Sequence, residues 1–166
     1  FRVGVMVTGV SEGIHNFQLR GSVVVDSYNT SGHSQGIYVT NVKGLLVEGC
    51  VFDHNGWNKA VSGAEPTIYN HNMYIDDVSN WGTTEDVIIR DNIIANGASH
   101  GVQLRPGGII ENNLFVANSL GCFVGLAPSA IRNNVMVEPK DISPSLPRAD
   151  RSCCWMIALP VTANRV

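Results

Sequence analysis

The sequence predicts an all-β chain wound as a right-handed parallel β-helix, a single-stranded solenoid of about five coils of roughly 21 residues or more. Three observations carry this. Residues 87–94 (VIIRDNII), 108–115 (GIIENNLF) and 129–136 (SAIRNNVM) superimpose without a gap, and 17–24 (FQLRGSVV) and 45–52 (LLVEGCVF) fit the same template at looser spacing. Their shared polar position reads Ser22, Cys50, Asn92, Asn113, Asn134; the last three are 21 residues apart, and Cys50 to Asn92 spans two such periods. A second column of strands recurs at 4–7, 36–39, 72–75, 101–104 and 121–124. Finally, the residues Arg20, Glu48, Arg90, Glu111 and Arg132 alternate in charge at one template position. On stacked strands about 4.8 Å apart, opposite signs on neighbouring rungs attract and like signs repel, so the alternation favours one register.

The elements follow in order. In the strands at 4–7, 36–39, 72–75, 101–104 and 121–124, apolar residues alternate. Val5/Val7, Ile37/Val39, Met73/Ile75, Val102/Leu104 and Cys122/Val124 are expected to point inward, and Met6, Tyr38, Tyr74, Gln103 and Phe123 outward. In the other column Leu19, Val47, Ile89, Ile110 and Ile131 form an inward aliphatic stack. Turns such as Asp53-His54-Asn55-Gly56, Asn112-Asn113 and Asn133-Asn134 supply tight corners. Residues 53–70 and 77–86 are long insertions on either side of the strand at 72–75, whereas the links at 95–100 and 116–120 are short. Long insertions in a solenoid gather on its binding face.

The repeats assign residues 1–138 to the solenoid, read as the core of a longer one because its first strand is already a coil strand. Residues 139–166 read as an irregular tail, with three prolines between Glu138 and Asp150 and then an apolar run at 153–161. The outward positions Leu46, Ile88 and Ile109 are also apolar, so either the tail folds over this face or another copy of the chain covers it. A net charge of −3 favours neither nucleic acid nor a membrane surface, and no apolar run is long enough to span a bilayer. Cys50 and Cys122 fall on repeat columns and Cys153-Cys154 are adjacent, so no disulfide framework or zinc site is expected.

Aligning the strands places His71 below His100, Tyr74 below Gln103 and Asp76 below Arg105. These two rungs combine imidazole, phenol, carboxylate and guanidinium, and the long insertions flank them. β-Elimination from a uronic polysaccharide needs a cation at the sugar carboxylate, a base for the C5 proton and an acid for the leaving oxygen. Arg105 suits the first role, His71 or His100 the second, Tyr74 or Tyr38 the third, with Asp76 beside them. Repulsion within the histidine stack would lower the pKa values and keep one member neutral. Tyr38, Gln103, Phe123 and the loop residue Lys59 are candidate sugar contacts. The plainer reading of the same residues is an Asp76–Arg105 ion pair, histidines capping backbone groups, aromatic packing, and solvated Lys59 and Glu65. No cofactor is expected; the one alternative, calcium at Asp76-Asp77, is opposed by consecutive strand side chains pointing to opposite faces.

The repeats resemble those of right-handed β-helix proteins of the pectate-lyase-like superfamily. The stretch His100 to Phe115 (HGVQLRPGGIIENNLF) is similar to a region of alginate lyases and chondroitinase B in which an arginine follows a strand and precedes an Asn-Asn-aromatic element. The resemblance implies that Arg105 matches the catalytic arginine, that the chain is a polysaccharide lyase on an acidic glycan, and that it is secreted or periplasmic. Pro106 stands where that family has histidine, and no lysine aligns with its catalytic lysine. The same fold hosts uronate C5-epimerases, glycoside hydrolases and non-catalytic glycan-binding tail spikes or adhesins, and these remain the alternatives.

Overall fold

The computed structural model describes residues 1–79, 82–125, 129–140, 142 and 153–157. Coil 1 comprises β1 (Val3–Thr8), β2 (Ile14–Arg20) and β3 (Val23–Val25), and coil 2 comprises β4 (Gln35–Thr40), β5 (Val42–Glu48) and β6 (Val51–Asp53). Coil 3 holds β7 (His71–Ile75), a small hairpin of β8 (Val78–Ser79) and β9 (Gly82–Thr83), then β10 (Glu85–Arg90) and β11 (Ile93–Ala95). Coil 4 is β12 (His100–Leu104), β13 (Gly108–Glu111) and β14 (Leu114–Val116). Coil 5 is β15 (Leu120–Val124), β16 (Ser129–Arg132) and β17 (Val135–Val137), followed by β18 (Cys153–Ile157). Setting the hairpin aside, the first strand of each coil joins sheet A, the second sheet B and the third sheet C, all parallel; among the described residues only the hairpin is antiparallel.

The core is a set of columns. Leu19, Val47, Ile89, Ile110 and Ile131 stack in register in sheet B, as the repeat requires. Val24, Phe52, Ile94, Phe115 and Met136 do the same in sheet C. Val47, Phe52, Ile89, Ile94 and Ile110 are fully buried, each contributing on the order of 1.5–3 kcal/mol of transfer free energy.

Two corners per coil turn the chain through a left-handed residue. Between sheets B and C these are Gly21, Gly49, Asp91, Asn112 and Asn133, and between C and A they are Asp26, His54, Asn96, Ala117 and Glu138. Such turns leave inward backbone groups without strand partners, and asparagine completes them because its amide both donates and accepts. After the first corner, Asn113 Oδ1 accepts from Asn92 N–H (3.0 Å) and Nδ2 (2.9 Å), while Asn113 Nδ2 donates to Ile89 O (2.9 Å) and Asn134 Oδ1 (2.9 Å). Cys50 N–H continues the ladder to Asn92 Oδ1 (2.9 Å). A second ladder runs inside the other corner: Asn55 Nδ2 donates to Asn72 Oδ1 (2.9 Å), and Asn72 Nδ2 to Asn118 Oδ1 (3.1 Å).

The charge column is in register from Arg20 to Arg132. Glu48 bridges Arg20 (2.7 Å) and Arg90 (2.6 Å), and Glu111 pairs with Arg132 (2.7 Å). Leu46, Ile88 and Ile109 are likewise in register and half-buried. Ile88, Ile109, Pro106 and Gly107 are among the residues that line an open groove of about 640 Å³.

The segment read as an irregular tail contains a sixth sheet-A strand: β18 pairs parallel with β15, setting Cys122 beside Trp155 and Val124 beside Ile157. It supplies partners for backbone groups that an end strand would otherwise leave open. The expected packing of the rest of the tail over Leu46, Ile88 and Ile109 concerns residues outside those described. Cys50 and Cys122 are free, buried thiols.

Candidate functional site

The outer face of sheet A carries the row that alternation predicts. Met6, Tyr38, Tyr74, Gln103 and Phe123 lie in register on five successive rungs. All but Met6 are half-buried, and the Tyr38 and Tyr74 rings meet tilted at 5.5 Å between centroids.

At the exit of this face two backbone bonds hold the strand ends: Asp76 N–H donates to Val39 O (2.9 Å) and Arg105 N–H to Ile75 O (3.0 Å). Asp76 and Arg105 therefore leave from adjacent rungs at the corner towards sheet B. No nitrogen–oxygen contact within 4.0 Å joins them among the described residues. The Arg105 guanidinium instead lies over the Tyr74 ring, 5.2 Å from its centroid, where the ring face attracts a cation. Tyr38 Oη donates to Asp76 Oδ2 (3.2 Å).

Burial is the main cause that raises the Asp76 carboxyl above its ordinary range; a hydrogen bond with Asp77 adds to it, and Arg105 and Tyr38 oppose it. Burial, reinforced by the charge of Asp76, pushes the Tyr74 phenol up to about 12. The Tyr38 phenol is raised by the same two causes.

His71 and His100 adjoin, with ring centroids 4.7 Å apart, as the alignment requires. As candidate bases they would need access to substrate, and they are only 3 % and 8 % exposed. Their Nδ1 atoms face each other at 3.1 Å, and His100 N–H also donates to His71 Nδ1 (3.3 Å). Ser99 Oγ lies 3.2 Å from His100 Nδ1. The rings meet the aromatic row edge-on, His71 against Tyr74 (5.7 Å) and His100 against Phe123 (6.0 Å). Lys59 lies over Trp57 (5.4 Å), and Trp57 is tied to the corner by Nε1–H donating to Asn96 O (2.9 Å). No hydrogen bond, ion pair or cation–π contact joins Lys59 to Tyr38, Tyr74, Gln103 or Phe123 among the described residues.

Two features escaped the sequence reading. His54 Nδ1 and Asp26 Oδ1 are 2.7 Å apart at the C-to-A corner, although both occupy one template position, 28 residues apart like Ser22 and Cys50. His33 and Tyr69 stack at 5.2 Å across loops that have no repeat signal. Among the described residues no group of three or more His, Cys, Asp or Glu could hold a metal ion, Asp76-Asp77 included.

Neither a curated protein nor a solved structure matches the chain. A family model, the right handed beta helix region, matches residues 4–136. With three stacked parallel sheets and a family match over most of its length, the chain belongs to the right-handed β-helix family.

Proposed function

We propose that the outer face of sheet A binds an acidic polysaccharide and that the chain cleaves it by β-elimination. The observation that carries this reading is the cluster of Arg105, Tyr74 and Asp76 on two adjacent rungs beside the longest insertions. Arg105 is exposed and can turn from the Tyr74 ring to the sugar carboxylate, where its charge stabilises the enolate that forms. Asp76 is the best-placed base: a carboxylate raised by burial holds a proton more firmly than a solvated one. It takes the C5 proton; the C5 electron pair passes into the enolate and then expels the C4 oxygen, leaving a C4–C5 double bond. Tyr74, with its phenol at about 12, is protonated at neutral pH and gives that proton to the leaving oxygen. Proton return from Asp76 to Tyr74, directly or through water, resets the site. His71 and His100 act as positioning residues that back Tyr74 and Phe123. Such a substrate lies outside the cytoplasm, which makes the protein secreted or periplasmic.

The test is incubation with a panel of uronic polysaccharides, followed by the ultraviolet absorbance of the unsaturated product. Rising absorbance supports elimination. Solvent deuterium appearing at C5 without unsaturation would identify an epimerase instead, and new reducing ends without unsaturation a hydrolase. The second reading, glycan binding without turnover, is favoured by the continuous half-exposed row Tyr38, Tyr74, Gln103, Phe123; retention on a glycan matrix with no product would establish it.

A further inference from the structure

Sheet C is where the described surface is most apolar. Its outward column reads Val23, Val51, Ile93, Leu114, Val135, in register on five rungs. Val23 is 69 % exposed, Ile93 45 %, Leu114 36 % and Val135 55 %. The next outward column carries Val25 and Val137, both exposed, at its ends, with Asp53, Ala95 and Val116 on the rungs between them. Five rungs make a stripe about 20 Å long. A continuous aliphatic strip of this kind marks a contact surface rather than the scattered apolar exposure of an ordinary monomer.

The edge of the strip says what fits it. At the B-to-C corner, three residues before each stripe position, stand Arg20, Glu48, Arg90, Glu111 and Arg132. A partner carrying one sign of charge would meet repulsion on alternate rungs. A partner with the same rung spacing and alternating charges meets none, provided it is offset by one rung, and this chain is such a partner. Reversing the column leaves its pattern unchanged, so a twofold axis between coils 3 and 4 places Arg90 opposite Glu111 of the second copy and Glu48 opposite Arg132 of the second copy. The same axis sets Ile93 against Leu114 of the second copy and Val51 against Val135 of the second copy. At the other edge of the strip it sets His54 against Glu138 of the second copy. A net charge of only −3 opposes the association weakly.

We propose that two copies of this chain pack face to face through sheet C, antiparallel and offset by one coil, as an isologous twofold dimer. The reading is independent of any activity on sheet A.

The test is light scattering of the full chain at micromolar concentration, where a dimer is expected. Leu114→Glu should weaken it by at least about a hundredfold and give a folded monomer whose melting midpoint no longer depends on protein concentration, because the side chain points away from the core and only the stabilisation by the partner is lost. Ile88→Glu, in the groove on sheet B, should leave the dimer intact. To read the orientation, Val135 is replaced by p-benzoylphenylalanine and the cross-linked dimer digested; the label should be attached to the peptide containing Val51 of the other copy. A monomeric wild-type chain, a dimer that survives Leu114→Glu, or loss of the dimer on Ile88→Glu overturns the proposal. So does a trimer, or a cross-link joining coil 5 to coil 5, which would mean parallel packing.

Discussion

His71 Nδ1 accepts a hydrogen bond from the backbone N–H of its neighbour His100 (3.3 Å) and lies 3.1 Å from His100 Nδ1. A backbone N–H can only donate, so His71 is the neutral ring with its proton on Nε2. His71→Ala would take that acceptor away from the His100 N–H. A buried donor that loses its acceptor costs about 1–3 kcal/mol. We expect a lower melting midpoint for His71→Ala, and nitrogen chemical shifts that place the wild-type proton on Nε2. An unchanged midpoint would mean that the histidine pair does not support the wall behind Tyr74.

Arg105 should separate fold from chemistry. It is exposed, and its guanidinium lies over the Tyr74 ring. Arg105→Ala should leave the melting midpoint nearly unchanged and reduce elimination by about a hundred- to a thousandfold, the usual loss when one charge-stabilising donor is removed. Tyr74→Phe should lower kcat while glycan retention persists. Full elimination activity in Arg105→Ala would place the reaction elsewhere on the molecule.

Asp76 gives a pH dependence whose sign follows from its raised carboxyl. Below the ordinary carboxylate range, folded and unfolded chains are both protonated there. As pH rises into the window between the ordinary and the raised value, the unfolded chain releases its proton first, and the folded state loses stability relative to it. Asp76→Asn removes this penalty and keeps an oxygen for the Tyr38 hydroxyl. The variant should melt above wild type at neutral pH, with the difference shrinking as the solution is acidified through the carboxylate range. An advantage that grows on acidification would show that Asp76 is held charged instead.

The charge column was legible in the sequence, and so was the register of both repeat columns, because each rung repeats the same local chemistry and the period survives insertions; that the eight-residue template bends into two sheets, B and C, was not. The ladder through Asn55, Asn72 and Asn118 was not, since the insertion at 53–70 breaks its spacing. The burial of His71 and His100 was hidden for a different reason: both stand where the chain turns into the strand, and alternation along the strand does not fix what packs over a residue at its first position. The strand Cys153–Ile157 follows a proline-rich stretch with no repeat signal, so its pairing with Leu120–Val124 depends on a tertiary opportunity, an open sheet edge. Of the site, the adjacency of Tyr74, Asp76, His71, His100 and Arg105 could be read from aligned rungs. The parking of Arg105 on an aromatic ring and the displacement of Lys59 to Trp57 could not.

Glu48 is the hub of the charge column because it touches both Arg20 and Arg90, whereas Glu111 touches Arg132. Partly exposed pairs contribute up to about 1 kcal/mol each. Glu48→Gln should therefore lower the melting midpoint more than Glu111→Gln does. Glu111→Arg should lower it further than Glu111→Gln, by setting three arginines on consecutive rungs. Equal midpoints for the two Glu111 variants would mean that the column has no electrostatic role in holding register.

The asparagine ladder has a consequence for how such a chain can change its length. Asn92 and Asn113 each donate from Nδ2 to a carbonyl of the preceding rung and to the asparagine of the following one, so these two rungs are interchangeable; Asn134 donates instead to Ile110 O and Arg132 O. Excising 21 residues from Asn92 onward would join Asp91 to Asn113 and present an identical corner to the coil below. Duplicating the same segment would do likewise. A gene encoding this fold can thus gain or lose a whole coil in one event, while an insertion of any other size must be looped out at a corner, as the long segments around Tyr74 are.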